Sequence, residues 1–171
     1  MQNILKNSLK KGLVTKNLSF NKDEITVLGK ELKSAIIKKF GRSFHIREVD
    51  TGSCGACESE IIAITNPIYD IQRFGIDFVA SPRHADALLI TGPVSKNMLL
   101  ALKKTYDAMP TPKVVITLGY CALNGGIFKD SYYIEGGVNN ILPVALHIPG
   151  CPPTPHQIIK ELLSFITYSK Q

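Results

Sequence analysis

Apolar residues recur at helical spacing between Asn21 and Phe40, and this periodicity predicts an amphipathic helix. Asn21 and Glu24 are placed to cap its first turn, and Gly41 is placed to end it. The apolar positions of the stripe are Ile25, Leu28, Leu32, Ala35, Ile36 and Phe40. An amphipathic helix is therefore predicted before the strands, and its apolar face must pack against another part of a protein.

Five short stretches with a strand pattern follow this helix. They cover residues 43–49, 76–80, 85–91, 113–118 and 144–148. The first alternates apolar and polar residues, whereas 85–91 and 113–118 contain continuous apolar runs. Continuous runs are typical of strands that are buried on both faces of a parallel sheet.

Helical patterns separate these strands. They cover residues 56–65, 98–109 and 155–168, and Thr154 with Gln157 forms a capping box around Pro155. Strands that alternate with helices predict an α/β domain with a mostly parallel sheet. Ligands of such sheets bind beyond the carboxyl ends of the strands, so a site is expected in the turns that follow the strands.

The four cysteines of the chain stand in three such turns, each of which contains glycine. Cys54 and Cys57 lie in TGSCGAC, Cys121 in LGYC and Cys151 in PGCPP. Thiolates are soft ligands, and glycine lets backbone N–H groups come close to a sulfur atom. Because all three turns follow predicted strands, the cysteines are expected to converge on one metal or iron–sulfur site.

Other uses of four cysteines fit the pattern less well. Disulfide frameworks serve small secreted domains, and 171 residues can bury a core without them. Structural zinc prefers two short paired spacings, and here only Cys54 and Cys57 form a pair. A CxxC redox dithiol leaves Cys121 and Cys151 unexplained. A zinc-bearing scaffold protein remains the alternative to an iron–sulfur protein.

Charge divides the chain into two parts. Residues 1–49 hold eleven Lys and Arg against four Asp and Glu, a net charge of +7, whereas residues 50–171 hold nine against ten, a net charge of −1. We expect a basic N-terminal arm at 1–42 and a second unit at 43–171. No nucleic-acid motif accompanies the arm, so we do not expect a nucleic-acid partner. No apolar run is long enough to cross a bilayer and the first residues show no signal-peptide pattern, so we expect a cytoplasmic location.

From about residue 47 to residue 163 the chain resembles the small subunit of [NiFe]-hydrogenases and its counterpart in respiratory complex I. The resemblance rests on the stretches SPRHADALLITGPVSKNM, YDAMPTPKVVITLGYCALNGGIF and LPVALHIPGCPPTP. Complex I subunits carry two adjacent cysteines in the first turn, whereas Cys54 and Cys57 are separated by two residues, as in hydrogenases. The chain is most similar to the membrane-associated, energy-converting hydrogenases, including the formate hydrogenlyase type.

This resemblance implies a flavodoxin-like domain that holds one [4Fe-4S] cluster through Cys54, Cys57, Cys121 and Cys151. The chain would be an oxidoreductase subunit that passes electrons between the nickel–iron centre of a separate large subunit and a ferredoxin-like iron–sulfur subunit. It would lie on the inner face of the cytoplasmic membrane, attached through membrane-anchored partners. The equivalent subunit of a complex I-like quinone or sulfur reductase is the alternative that the resemblance leaves open.

Four charged or titratable residues are further candidates near the site. Arg83 could offset the charge of a reduced cluster, and His84 could take up a proton on reduction, although a surface arginine and a solvated histidine are the simpler interpretations. Glu58 and Glu60 could carry protons, with interface salt bridges as the simpler interpretation. His147 and His156 flank Cys151, but with four thiolates present neither is needed as a ligand.

Overall fold

The computed structural model describes residues 22–168 of the 171-residue chain. Strands and helices alternate through most of this range, as the sequence predicts. The helices are α1 (Lys22–Phe40), α2 (Ala56–Ile64), α3 (Lys96–Ala108), α4 (Tyr120–Asn124) and α5 (Pro155–Tyr168). The strands are β1 (Phe44–Asp50), β2 (Ile76–Phe78), β3 (Ala87–Thr91), β4 (Val94–Ser95), β5 (Val114–Leu118), β6 (Ile134–Gly136) and β7 (Leu146–Ile148).

Five of the strands form one sheet in the order β2-β1-β3-β5-β7, and every neighbouring pair is parallel. The main-sheet strands therefore follow the order 2-1-3-4-5, which is the flavodoxin-like arrangement. The predicted α/β fold with a mostly parallel sheet is confirmed. In this order the chain changes direction between β1 and β3, and such a switch point opens a crevice at the carboxyl ends of the two strands.

The sheet is buried on both faces. Successive side chains of a strand point to opposite faces, so Ala87 and Leu89 of β3 pack in one apolar layer with α1, α2 and α5, whereas Leu88 and Ile90 pack in the other with α3. All five residues of β3 are buried. This double burial explains why β3 reads as a continuous apolar run in the sequence.

Helix α1 belongs to the first of these layers. Leu32 and Ile36 are fully buried in the same cluster as Ile158 and Leu162 of α5. The helix ends at Gly41 as expected, where a left-handed φ of 67° lets the Gly41 N–H donate to the Ile37 carbonyl at 2.9 Å. Asn21, the predicted cap, lies outside the described residues. The division of the chain at residue 42 stays a prediction.

The structure differs from the sequence prediction in two short elements. Strands β4 and β6 form an antiparallel pair of two and three residues, too short to leave a periodic signal in the sequence. Cys121 lies in the five-residue helix α4 and not in an open turn. Within residues 22–168, no helix combines the length and the apolar composition that crossing a membrane requires.

Candidate metal centre

All four cysteines line one pocket at the carboxyl ends of the parallel strands. Cys54 and Cys57 follow β1, Cys121 follows β5 and Cys151 follows β7. The turn after β3 closes the pocket with Gly92 and Pro93. The three cysteine turns therefore come together as predicted, and the pocket lies at the edge where the switch point opens its crevice.

The first cysteine turn is held by side chains that bond to backbone. The Asp50 carboxylate accepts from the N–H groups of Gly52 and Ser53, each at 2.8 Å. The buried Thr51 hydroxyl has both the Thr91 and Gly92 carbonyls within bonding distance, at 2.7 and 3.0 Å. These contacts tie the end of β1 to the end of β3. They fix the chain just before Cys54 and leave Cys57 in the first turn of α2.

Glycines give the sulfur atoms of Cys57 and Cys121 their space. A Cβ on Gly119 would lie 2.9 Å from the Cys57 sulfur, and a Cβ on Gly126 would lie 2.8 Å from the Cys121 sulfur. Both glycines have left-handed φ values, 83° and 51°, which other residues rarely adopt. The backbone around the thiols therefore forms a cradle that side chains at these two positions would fill.

The third turn is attached to the second. The N–H of Gly119 donates to the Ile148 carbonyl at 2.9 Å, and the N–H of Tyr120 donates to the Gly150 carbonyl at 3.1 Å. On the other side, the Gln157 side chain donates to the Pro149 carbonyl at 2.9 Å. The backbone N–H of Gln157 bonds to the Thr154 hydroxyl at 3.3 Å, so the Thr154 half of the predicted capping box is present.

The thiols influence one another electrostatically. Burial, followed by the charges of Glu58 and the other three cysteines, raises the pKa of Cys57 to about 12. Burial and the charge of Cys151 also raise the pKa of Cys121. Four thiolates in one pocket repel each other, so the deprotonated set requires compensating positive charge. Metal ions supply that charge, and their binding displaces the thiol protons.

The chemistry of the donor set fits an iron–sulfur cluster. All four cysteines are free, so the disulfide framework considered above is absent. Within residues 22–168, no three His, Cys, Asp or Glu side chains come together in the way that would hold a single metal ion. In a cluster of several irons the cysteine ligands are spread over different metal atoms, so four thiols can surround one pocket without meeting at one point.

Carboxylates lie behind the cysteine turns. Both carboxylate oxygens of Glu58 are buried and have no hydrogen-bond partner in the described part of the chain. Its neighbour Glu48, on β1, accepts from the Thr91 hydroxyl at 3.3 Å. Burial, followed by the charge of Glu58, raises the pKa of Glu48. Glu48 is not among the predicted site residues, because its polarity suggests a solvated position, whereas alternation puts it on the same face of β1 as the buried Phe44 and Ile46. Glu60 is partly exposed.

Arg83 and His84 do not lie at this site. They belong to a short 3-10 helix, Pro82–His84, that directly precedes β3, and they line a different pocket together with Arg42 and His45. Residues that precede a parallel strand lie at its amino end, and five residues of strand span about 16 Å. The expectation that Arg83 offsets charge beside the cysteines is therefore wrong.

The two histidines that flank Cys151 have partners other than the thiols. Nδ1 of His147 lies 3.0 Å from the Thr117 hydroxyl, and burial lowers the pKa of this imidazole. Nε2 of His156 lies 3.3 Å from the Glu24 carboxylate, across the contact between α5 and α1. Neither histidine lines the cysteine pocket.

Relatives of the chain are subunits of redox complexes. It is 47% identical over 124 residues to "Formate hydrogenlyase subunit 7" of Escherichia coli (strain K12), covering 72% of this chain and 49% of that protein. It is 44% identical over 124 residues to "Probable membrane-bound hydrogenase subunit mbhJ" of Pyrococcus furiosus, covering 72% and 74%. The chain thus spans about half the length of the first of these relatives.

A solved structure of a redox complex also contains a chain that is similar to this one. A chain of the archaeal membrane-bound sulfane sulfur reductase superposes with a TM-score of 0.64 and 34% identity, covering 80% of this chain and 76% of that chain. The family described as "NADH ubiquinone oxidoreductase, 20 Kd subunit" matches residues 54–165, a range that starts at the first cysteine and includes the other three. With its fold and its relatives in agreement, the chain belongs to this oxidoreductase family of 20 kDa subunits.

Proposed function

We propose that this chain is the electron-transfer small subunit of a multisubunit [NiFe]-hydrogenase, and that Cys54, Cys57, Cys121 and Cys151 hold one [4Fe-4S] cluster. The single observation that carries the proposal is the pocket that these four thiols line. When bound, such a cluster supplies a carrier that takes up and releases one electron at a time. Similarity to formate hydrogenlyase subunit 7 supports the hydrogenase assignment.

The protein's contribution is to position the sulfur ligands and to control their protonation. Gly119 and Gly126 leave the volume that the sulfurs of Cys57 and Cys121 need. The raised pKa of Cys57 keeps this thiol protonated until metal binds, so loading releases a proton and is favoured by higher pH. The backbone N–H of Ile127 bonds to the Cys121 sulfur, and hydrogen bonds to ligand sulfurs influence the reduction potential of a bound cluster.

The surface beside the thiols suits a partner protein. Cys54 and Cys151 are exposed, and next to Cys121 the side chains of Tyr120 and Ile127 are 51% and 85% exposed. Large apolar side chains grouped beside a redox site indicate a protein contact. In the proposal a [NiFe] large subunit covers this edge, a ferredoxin-like subunit exchanges electrons with the cluster, and membrane-anchored subunits keep the assembly on the cytoplasmic face of the membrane.

A reductase is the second candidate. One solved relative that superposes on this chain belongs to a sulfane sulfur reductase. A further relative is a subunit of the NADH-quinone oxidoreductase of Clostridium beijerinckii, at 45% identity over 115 residues. In that alternative the same four cysteines and the same cluster serve a complex I-like quinone or sulfur reductase. The two candidates differ in the large subunit, which holds nickel in a hydrogenase.

The test is metal analysis of the anaerobically purified native complex, with electron paramagnetic resonance of the oxidised and dithionite-reduced protein. We expect at least four irons and four sulfides per copy of this chain, with further iron from the partner subunits, and a signal from the reduced cluster. Nickel in a co-purifying subunit supports the hydrogenase, and its absence supports the reductase. Zinc without iron or sulfide would contradict both and would favour the zinc-bearing scaffold protein.

Variants of the isolated full chain test the ligand set. Each of Cys54→Ala, Cys57→Ala, Cys121→Ala and Cys151→Ala should lower the iron retained after anaerobic reconstitution. Ser34→Ala, on the exposed face of α1, is the control, because it removes a similar small polar group far from the pocket. Full iron retention in any of the four cysteine variants would remove that residue from the set.

A further inference from the structure

The Arg83 segment forms a pocket of its own, at the edge of the sheet opposite the cysteines. The pocket has a volume of about 690 Å³. Arg42 and His45 reach it from the start of β1, and Ser81, Arg83 and His84 reach it from the segment before β3. Its volume falls in the range of small-ligand sites.

The lining of this pocket is positively charged. It carries two guanidinium groups and two imidazoles against the single carboxylate of Asp86. That carboxylate is already engaged, since Arg42 donates to both of its oxygens, at 2.7 and 2.9 Å, and the backbone N–H of His45 donates to it at 2.9 Å. Arg42 therefore neutralises the negative charge of Asp86 inside the pocket.

Arg83 is the cation that this arrangement leaves available. Its side chain is exposed and makes no hydrogen bond or ion pair with any residue in the range 22–168. Its backbone N–H bonds to the Ser81 hydroxyl oxygen at 3.4 Å, which leaves the hydroxyl proton free to donate elsewhere. A guanidinium and a hydroxyl donor thus lie two residues apart on one rim of the pocket.

We propose that this pocket binds a phosphate group, with the Arg83 guanidinium as its main charged contact and Ser81 and His84 as further donors. A guanidinium presents its N–H groups as a planar fork that matches the oxygens of a phosphate. The volume exceeds that of one phosphate ion, so a phosphate that carries a substituent also fits.

The first experiment is titration of the full chain with inorganic phosphate, followed by calorimetry and by ¹H–¹⁵N spectra. We expect saturable binding, with shifts at the amides of Ser81, Arg83 and His84 and none at the cysteine turns. Arg83→Gln should weaken binding by roughly tenfold or more, because it removes a charge-assisted hydrogen bond. Arg83→Lys keeps the charge and should bind at intermediate strength.

Lys160→Gln is the matched control, since it removes one exposed positive charge from α5, which packs on the other face of the sheet. It should leave the affinity for phosphate unchanged within about twofold, since exposed charges at a distance are screened by salt. Urea unfolding midpoints of all variants establish that they fold. Absence of saturable binding, or equal affinity in Arg83→Gln and the unchanged chain, would overturn the proposal.

Vesicle flotation identifies the source of the phosphate. Recruitment to phosphatidylglycerol vesicles that Arg83→Gln weakens and inorganic phosphate competes away identifies a lipid headgroup. Phosphate binding that depends on Arg83, without recruitment that depends on Arg83, identifies a free phosphate compound. A polyglutamate peptide that binds through Arg83 while phosphate does not would contradict the proposal and point to an acidic protein partner.

Discussion

Gly119 and Cys57 lie against each other across the cysteine pocket, so close that a Cβ on Gly119 would lie 2.9 Å from the Cys57 sulfur. The two residues belong to turns that follow different strands, β5 and β1. Two independent features therefore favour glycine at position 119. One is its positive φ of 83°, and the other is the neighbouring sulfur, which occupies the space that a side chain would need. The two features can be separated by mutation.

Gly119→Ala should lower both stability and the capacity to hold iron. Gly41→Ala is its control, because Gly41 has a similar φ of 67° but nothing within 4 Å of a Cβ. Gly41→Ala should lose about 1 kcal/mol of unfolding free energy from backbone strain. Gly119→Ala should lose more, because a φ of 83° with a ψ of 159° is a conformation that only glycine adopts readily. Only Gly119→Ala should also lose iron after anaerobic reconstitution, and equal iron content in the two variants would show that the close approach is unimportant.

Glu48→Gln should stabilise the protein at high pH. Burial beside Glu58 raises the pKa of Glu48, so the folded state holds this proton more tightly than the unfolded state does. The stability that this provides is complete below the ordinary pKa of glutamate and is lost as pH rises through the raised value. Glutamine cannot ionise, so the unfolding free energy of the variant should increase relative to that of the unchanged chain as pH rises.

Urea midpoints at pH 5 and pH 8 measure this difference. The advantage of Glu48→Gln should be larger at pH 8 than at pH 5. Glu135→Gln, at an exposed position on β6, is the matched control and should show no such trend. An advantage that shrinks toward pH 8 would mean that Glu48 is stabilised in its charged form.

Asp86→Ala should destabilise the protein more than Arg42→Ala does. Asp86 accepts two hydrogen bonds from Arg42 and a third from the His45 backbone, just before β3 begins. Its loss leaves a backbone N–H of β1 without that partner, and we expect a cost of about 2 kcal/mol. Arg42 is half exposed, so its removal should cost less than about 1 kcal/mol. Equal costs in urea unfolding would contradict this order.

Gly137→Ala should be strongly destabilising although its backbone angle is ordinary. Its φ of −102° suits any residue, but a Cβ there would collide with the backbone of Leu123 and Asn124 at the end of α4. Backbone cannot move aside as a flexible side chain can, so we expect a loss of about 3 kcal/mol or more. Thermal unfolding measures it, and a change below about 1 kcal/mol would show that α4 shifts freely.

The fold and the convergence of the four cysteines were predictable because their signals are local. The cysteines stand in glycine-containing turns that follow predicted strands, and strands alternate with helices, so three strand ends and a common edge follow from the sequence alone. The position of Arg83 was missed for a topological reason. Phe78 at the end of β2 pairs with Ile46, and Ile46 pairs with Ala87 at the start of β3, so residues 82–84 lie near the amino end of β3 and not at the carboxyl edge.

The carboxylate of Glu48 was missed for a different reason. Alternation puts Glu48 on the same face of β1 as Phe44 and Ile46, which are buried in the apolar layer that includes α2. An acidic residue on that face is unexpected from its polarity, and neither segment of the sequence shows that Glu58 of α2 lies close to it in the folded chain. Tertiary packing and not local pattern decides the burial of such a residue.

The edge position of β7 makes Cys151 unlike the other three cysteines. Within residues 22–168, β7 is an edge strand that pairs only with β5, through three residues, whereas β1 pairs with β2 through its first three residues and with β3 through its last five. Edge strands open locally at a free energy well below that of global unfolding. Brief fraying of β7 would carry Cys151 away from the pocket while the rest of the sheet stays intact. The strand order of the fold thus makes the Cys151 side of the pocket the part that a local opening can expose while the rest of the sheet stays folded.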